Sequence, residues 1–191
     1  MRKTGILMPV SSLPSRTGVG EMGAEAYHFL TLLKESGIKI WQILPMNPVG
    51  YGNSPYQPYS SCAGDELYIS LDTLYEEGLL KERPEGFHEY ATKVDYDAVR
   101  LHKEPYLREA FQTFLTSGGC ETKDYQEFAD QSWVYEYGAF RALKKANGGC
   151  CWNEWKQEDK MWPDARTDLA PELETEVQYH ICLLYTSDAA D

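Results

Sequence analysis

Three stretches near the start of the chain predict a parallel α/β fold. Residues 5–10, GILMPV, are a short apolar run, and residues 18–37, GVGEMGAEAYHFLTLLKESG, carry a helical pattern. Residues 38–46, IKIWQILPM, are almost continuously apolar. Strand, loop, helix and strand in that order form the right-handed crossover that repeats in parallel α/β proteins, where the loops leaving the carboxyl ends of the strands carry the chemistry.

Each element has a local reason. GILMPV ends in SSLPS, whose proline and serines stop a strand. In the helix, Ala26, Phe29, Leu30 and Leu33 recur at three- and four-residue spacing. Glu21 and Glu25 suit its positive start, and Gly37 can cap its end. The isoleucines of 38–46 predict a strand covered on both faces. Beyond residue 66, LYISLDTLYEEGLL reads as an extended piece leading into a short helix, and residues 81–97 as a polar connection. From Ala98, residues Val99, Leu101, Tyr106, Leu107, Ala110, Phe111, Phe114 and Leu115 predict a helix that Pro105 kinks or breaks. Residues 124–146 predict another, with Phe128, Trp133, Tyr137, Phe140 and Leu143 as its core stripe and Asn147-Gly148-Gly149 as its stop. A complete eight-stranded barrel takes roughly 250 residues. A chain of 191 cannot hold one together with a helical insertion.

The 18 basic and 30 acidic residues leave a net charge of −12, which repels nucleic acid and anionic membrane surfaces. The 14 tyrosines and 5 tryptophans offer apolar faces with hydrogen-bonding edges, suited to sugars as well as to cores. Cys62, Cys120, Cys150, Cys151 and Cys182 are an odd set without metal-ligand spacing, as in a reduced cytoplasmic protein. The opening residues lack the apolar core of a signal sequence, and no span reaches the roughly 20 apolar residues of a membrane helix.

Residues 50–61, GYGNSPYQPYSS, place Tyr51, Tyr56 and Tyr59 among glycines and prolines, so a loop presents these rings. They either fold back as packing or form a surface for something flat. Elsewhere, Gly18, Gly20 and Gly23 match the spacing of a dinucleotide fingerprint, but a long loop separates them from the strand and no acidic residue follows at the ribose distance. His28, His88, His102 and His180 share no spacing. Glycosyl chemistry by paired carboxylates needs Asp or Glu at strand ends, and the two strands end in LMPV and ILPM. No catalytic residue, metal ligand or cofactor site is identified.

Residues 5–75 resemble the start of the 4-alpha-glucanotransferases, or amylomaltases, of the alpha-amylase superfamily, most clearly in SSLPS, GVGEMG, WQILP and GYGNSPYQPYS. VDYD, AFRALKKANGG and WNEW extend the resemblance more weakly to about residue 181. It implies the N-terminal part of a (β/α)8 TIM barrel with a mainly helical inserted subdomain, the barrel being incomplete in this chain. Residues 1–75 would be the first two β/α units, and residues 76–181 the insertion. The family transfers alpha-1,4-glucan segments between maltooligosaccharides, glucose and longer glucans by a retaining double displacement. Its nucleophilic aspartate, acid/base glutamate and second aspartate lie on later strands.

By the same resemblance Tyr56 stacks on a sugar ring beside the scissile bond, Ser54 and Gln57 line its subsites, and Tyr51 contacts glucan away from the cleft. Asn53 stands where Asp is common, and Asp65-Glu66 where Asn-Pro is common. The last ten residues, CLLYTSDAAD, leave the resemblance and read as a non-native tail. A glucanotransferase fragment and a non-catalytic glucan-binding module both remain open.

Overall fold

The computed structural model describes residues 2–87, 93–164 and 168–188. His88 lies outside them, as does the side chain of Tyr51. The chain divides into two compact units, Met1–Ser117 with Thr186–Asp191, and Gly118–Tyr185.

The first unit begins with the crossover. Strand β1, Gly5–Leu7, pairs in parallel with β2, Ile40–Gln42, in the register Gly5↔Ile40, Ile6↔Trp41, Leu7↔Gln42. Helix α1, Ala24–Glu35, connects them. Trp41 fixes the packing: its ring meets Phe29 of α1 edge-on at 5.0 Å, and its Nε1 donates to the Met8 carbonyl at 2.8 Å. Val10, Leu13 and Ala26 form the buried centre beneath.

The strands are shorter than their apolar runs, and β2 is not covered on both faces as predicted. Leu7, Ile40 and Ile43 are exposed by 59%, 44% and 42%. No further strand pairs with this sheet among the described residues, so its outer side chains face solvent.

Gly20 explains part of the glycine-rich stretch. A Cβ there would lie 1.9 Å from the Val10 carbonyl oxygen, and the Gly20 amide donates to the Ser11 carbonyl at 3.1 Å. The close approach serves the loop after β1.

Helix α2, Leu71–Glu76, is capped by Ser70, whose Oγ accepts from the Thr73 amide. Helix α3, Tyr96–Thr116, is capped by Asp95 and runs unbroken through Pro105. Its buried positions are Val99, Lys103, Leu107, Ala110 and Phe111, whereas Leu101 is 72% exposed. The predicted stripe had Leu101 inside and missed Lys103. This unit extends to Ser117, and α3 is bonded to the loops that follow both strands.

The second unit is helical. The pattern over 124–146 resolves into two helices, α4 at Lys123–Ala129 and α5 at Ser132–Ala146, interrupted at Asp130-Gln131. Short α6, Gln157–Lys160, precedes α7, Pro171–Asp188. Gly138 of α5 lets Val177 and Ile181 of α7 approach, and Phe140 stacks on Trp155 at 5.7 Å. Residues 182–188, read as part of a tail, instead continue α7, with Cys182, Leu183 and Leu184 buried beside Tyr179 and Ile181. Their apolar side chains prolong the helix's buried stripe. Among the described residues no helix is long and apolar enough to cross a membrane, and no three metal-ligating side chains cluster.

Candidate glucan-binding loop

The loop after β2 is folded back on itself. Val49 and Pro58 form an antiparallel bridge, and the Tyr59 amide donates to the Pro48 carbonyl at 2.8 Å. Within this collar, Tyr51–Asn53 make one 3-10 turn, and the Gln57 amide donates to Ser54 O at 3.1 Å. Gly52 has φ 82° and Asn53 φ 51°, left-handed conformations that glycine adopts freely and asparagine tolerates.

This geometry separates the tyrosines. Tyr56 is 72% exposed at the tip of its turn, with its amide donating to Ser54 Oγ at 3.4 Å. Tyr59, 41% exposed, lies with one ring edge against Gly50, where a Cβ would stand 3.1 Å from it. Only the backbone of Tyr51 is described, within the turn. Ser54 and Gln57 flank Tyr56 on the same turn, and Gln57 is exposed. Asn53 is among the residues that line a neighbouring cavity.

That cavity holds about 190 Å³ and is lined by residues from both strand-following loops, among them Pro9, Ser11, Asn53, Pro55, Asp65 and Tyr68. Burial, with Asp65 and Tyr96 adding to it, pushes the Tyr68 phenol up to about 12, although its hydrogen bond with Ser11 pulls the other way. Tyr68 therefore offers a neutral hydroxyl.

Sequence reasoning missed what holds this wall in place. Asp65 is 2% exposed, and both its oxygens are taken by Arg100, at 3.0 Å to Oδ1 and 2.7 Å to Oδ2. The Leu67 amide donates to Asp65 Oδ1 at 3.0 Å, and Arg100 also reaches Glu66 at 3.0 Å. The departure at Asp65-Glu66 is thus matched by a cation on α3. Burial pushes the Asp65 carboxyl up and the Glu66 charge adds to it, while Arg100 opposes both.

Three positions along α3, Lys103 is 1% exposed, and its Nζ donates to Glu21 Oε1 at 2.7 Å, Leu67 O at 2.7 Å and Ile69 O at 2.6 Å. Three acceptors around one nitrogen match the three N–H bonds of an ammonium. Burial pulls its pKa down against the opposing Glu21 charge. The signal was present in the sequence: Lys103 falls in phase with Val99, Leu107 and Ala110.

The carboxyl ends of β1 and β2 carry no acidic side chain, and Asp65, a buried carboxylate on the loop after β2, is bound by Arg100. The site can present a ring, a hydroxyl and amides to a ligand.

The family model described as 4-alpha-glucanotransferase matches residues 8–189. The 4-alpha-glucanotransferase of Thermus thermophilus is 39% identical over 180 residues, covering 90% of this chain and 36% of the relative. That of Synechocystis is 39% identical over 191 residues, covering 94% of this chain and 37% of the relative. An amylomaltase from Streptococcus agalactiae, solved in complex with acarbose, superposes with TM-score 0.90 at 29% identity, over 100% of this chain and 39% of that one. The chain thus spans little more than a third of the length of these relatives.

Proposed function

This chain belongs to the 4-alpha-glucanotransferase family, and from that membership we propose that it forms one part of the glucan cleft of an enzyme transferring alpha-1,4-glucan segments. Its first β/α units belong to a (β/α)8 barrel, with residues 76–181 a helical insertion. Donors are maltooligosaccharides, and acceptors are glucose or longer glucans. Transfer proceeds by a retaining double displacement whose carboxylates lie outside this chain, a reading supported by the acid-free ends of β1 and β2. The free cysteines suit a cytoplasmic protein.

The observation that carries this reading is the exposure of Tyr56 on a hydrogen-bonded turn. A ring face offers the axial C–H patch of glucose a dry partner, and Ser54 and Gln57 stand beside it to fix orientation. Rigid presentation matters because a loop ordered before binding costs less to order during it.

Titration of the chain with maltoheptaose tests the assignment. Tyr56→Ala is expected to weaken binding by about tenfold, equivalent to about 1.4 kcal/mol, while Tyr56→Phe keeps it. Equal affinity in wild type and Tyr56→Ala would remove Tyr56 from the site. The unmodified chain is expected neither to disproportionate maltotriose nor to release glucose from it.

A further inference from the structure

We propose that Arg100 and Lys103 of α3 are positioning residues, Arg100 holding the loop after β2 and Lys103 joining the loop after β1 to the end of that same loop, so that the cavity wall and the Tyr56 turn keep one geometry. The role in glucan binding rests on the function proposed above. The loop-holding itself rests on hydrogen bonds within the first unit.

The two cations stand three residues apart and so share one face of the helix. Arg100 serves the loop after β2. It grips Asp65 through both oxygens, and Asp65 in turn accepts from the Val49 amide at 3.4 Å. Val49 is the base of the collar that closes against Pro58, so the chain of contacts runs from α3 to the foot of the Tyr56 turn. The Asp65 amide also donates to Met46 O at 2.8 Å, and Asn47 Nδ2 donates to Ala63 O at 2.9 Å, tying the same foot from the other side.

Lys103 joins the loop after β1 to the end of the loop after β2. It holds Glu21, whose Oε1 also accepts from Thr17 Oγ1. Thr17 Oγ1 further shares a hydrogen bond with Ser15 Oγ at 2.8 Å. With its other two protons Lys103 binds Leu67 O and Ile69 O, which belong to the segment that follows Asp65. One helix face therefore ties down the loops from both strands. Three-residue strands alone constrain those loops little.

Amide hydrogen exchange on the full 191-residue chain, read segment by segment, tests this in wild type, Arg100→Lys and Thr17→Val. Lysine keeps the charge but cannot span both Asp65 oxygens as a planar fork does. Arg100→Lys is expected to speed exchange about tenfold in residues 47–61 and to leave residues 11–22 as in wild type. Thr17→Val is expected to do the reverse. Uniform loosening of both loops in either variant, which marks a general stability role, overturns the proposal, as does no change in either.

Maltoheptaose affinity supplies the functional readout. Arg100→Lys is expected to bind about tenfold more weakly with Tyr56 intact, and an unchanged affinity despite a loosened loop overturns the positioning role. Loss of the glucan reading is seen separately, as a Tyr56→Ala variant that binds like wild type. The exchange pattern still decides the loop-holding in that event.

Discussion

The unit ending at Ser117 buries charge across long stretches of chain, whereas the unit from Gly118 to Tyr185 buries rings and small residues between neighbouring helices. Lys103 meets Glu21 across 82 positions, and Arg100 meets Asp65 across 35. In the second unit the long-range ties lie nearer the surface: Tyr135 donates to Glu174 across 39 positions and a half-exposed Lys145 reaches Glu176 across 31, while Asn147 reaches Asp159 over 12. The second core is instead Val134, Tyr137, Ala139, Ala142 and Leu143 of α5, with Val177 of α7. The first unit has few packed layers of its own, since its sheet is two strands of three residues, so polar ties hold its long loops. The second has more helix surface to pack, and its polar ties join helices already in contact instead of pinning long loops.

The sharpest way to break this contrast is Lys103→Met. Methionine fills the space but leaves the Glu21 carboxylate and two buried carbonyls without their donor. Breaking one side of a buried ion pair costs about 3–5 kcal/mol. Denaturant-dependent hydrogen exchange is expected to show residues 2–117 destabilised and residues 118–185 little changed. Equal loss in both would mean that Lys103 supports the whole chain, not its own unit.

Alkaline pH should strike in the other order. In the second unit burial and the adjacent Cys120 push the Cys182 thiol up to about 12 from 9.0. Burial also raises the Tyr125 phenol, and burial with the hydrogen bond to Glu174 raises Tyr135 to about 12. These groups stay protonated in the fold while the unfolded chain ionises, so their stabilisation is complete below pH 9.0 for Cys182 and 10.0 for the tyrosines. It is lost as pH rises towards 12. At about 1.4 kcal/mol per pH unit, Cys182 alone accounts for a loss of about 2–3 kcal/mol by pH 11. In the first unit Tyr68 follows the same sign but begins from 10.0. Protection in residues 118–185 is therefore expected to fall first above pH 9, with Cys182→Ala flattening the dependence. An earlier fall in residues 2–117 would reverse the comparison.

How much of each unit could be read from the sequence follows the same division. Period and composition revealed β1, α1 and β2 in order, and of the stripe read over 124–146, Phe128, Tyr137 and Leu143 are buried while Trp133 and Phe140 are half-buried. Local rules suffice where neighbours in sequence are neighbours in space. They failed for Lys103, since helical spacing weights a lysine as solvent-facing, and its three acceptors come from segments 34 to 82 residues away. Asp65 failed for the same reason: its partner on α3 has no signature in the loop itself. At the candidate site, Gly and Pro spacing revealed that Tyr56 sits on a loop. It did not reveal which ring packs, because the contact of Tyr59 with Gly50 depends on the collar closing.

Gly138→Ala probes the packed side of the contrast with the smallest expected effect. Alanine in a helix interior is favoured over glycine by about 0.8–1.0 kcal/mol, which taken alone predicts a more stable α5. Against this, the added methyl would stand 3.1 Å from both Val177 Cγ1 and the Val177 carbonyl oxygen, and 3.3 Å from Ile181 Cγ1. A side chain could turn away, but the carbonyl belongs to the backbone of α7, so the two helices must part by a few tenths of an ångström. Overpacking of this kind costs about 1–3 kcal/mol. The cost outweighs the propensity gain by a small margin, and a net loss of about 1 kcal/mol is expected, read as faster exchange in α5 and α7 with residues 2–117 unaffected. A rise in stability would show that the α5–α7 contact yields easily, and that the second unit is held less by close packing than its buried small residues indicate.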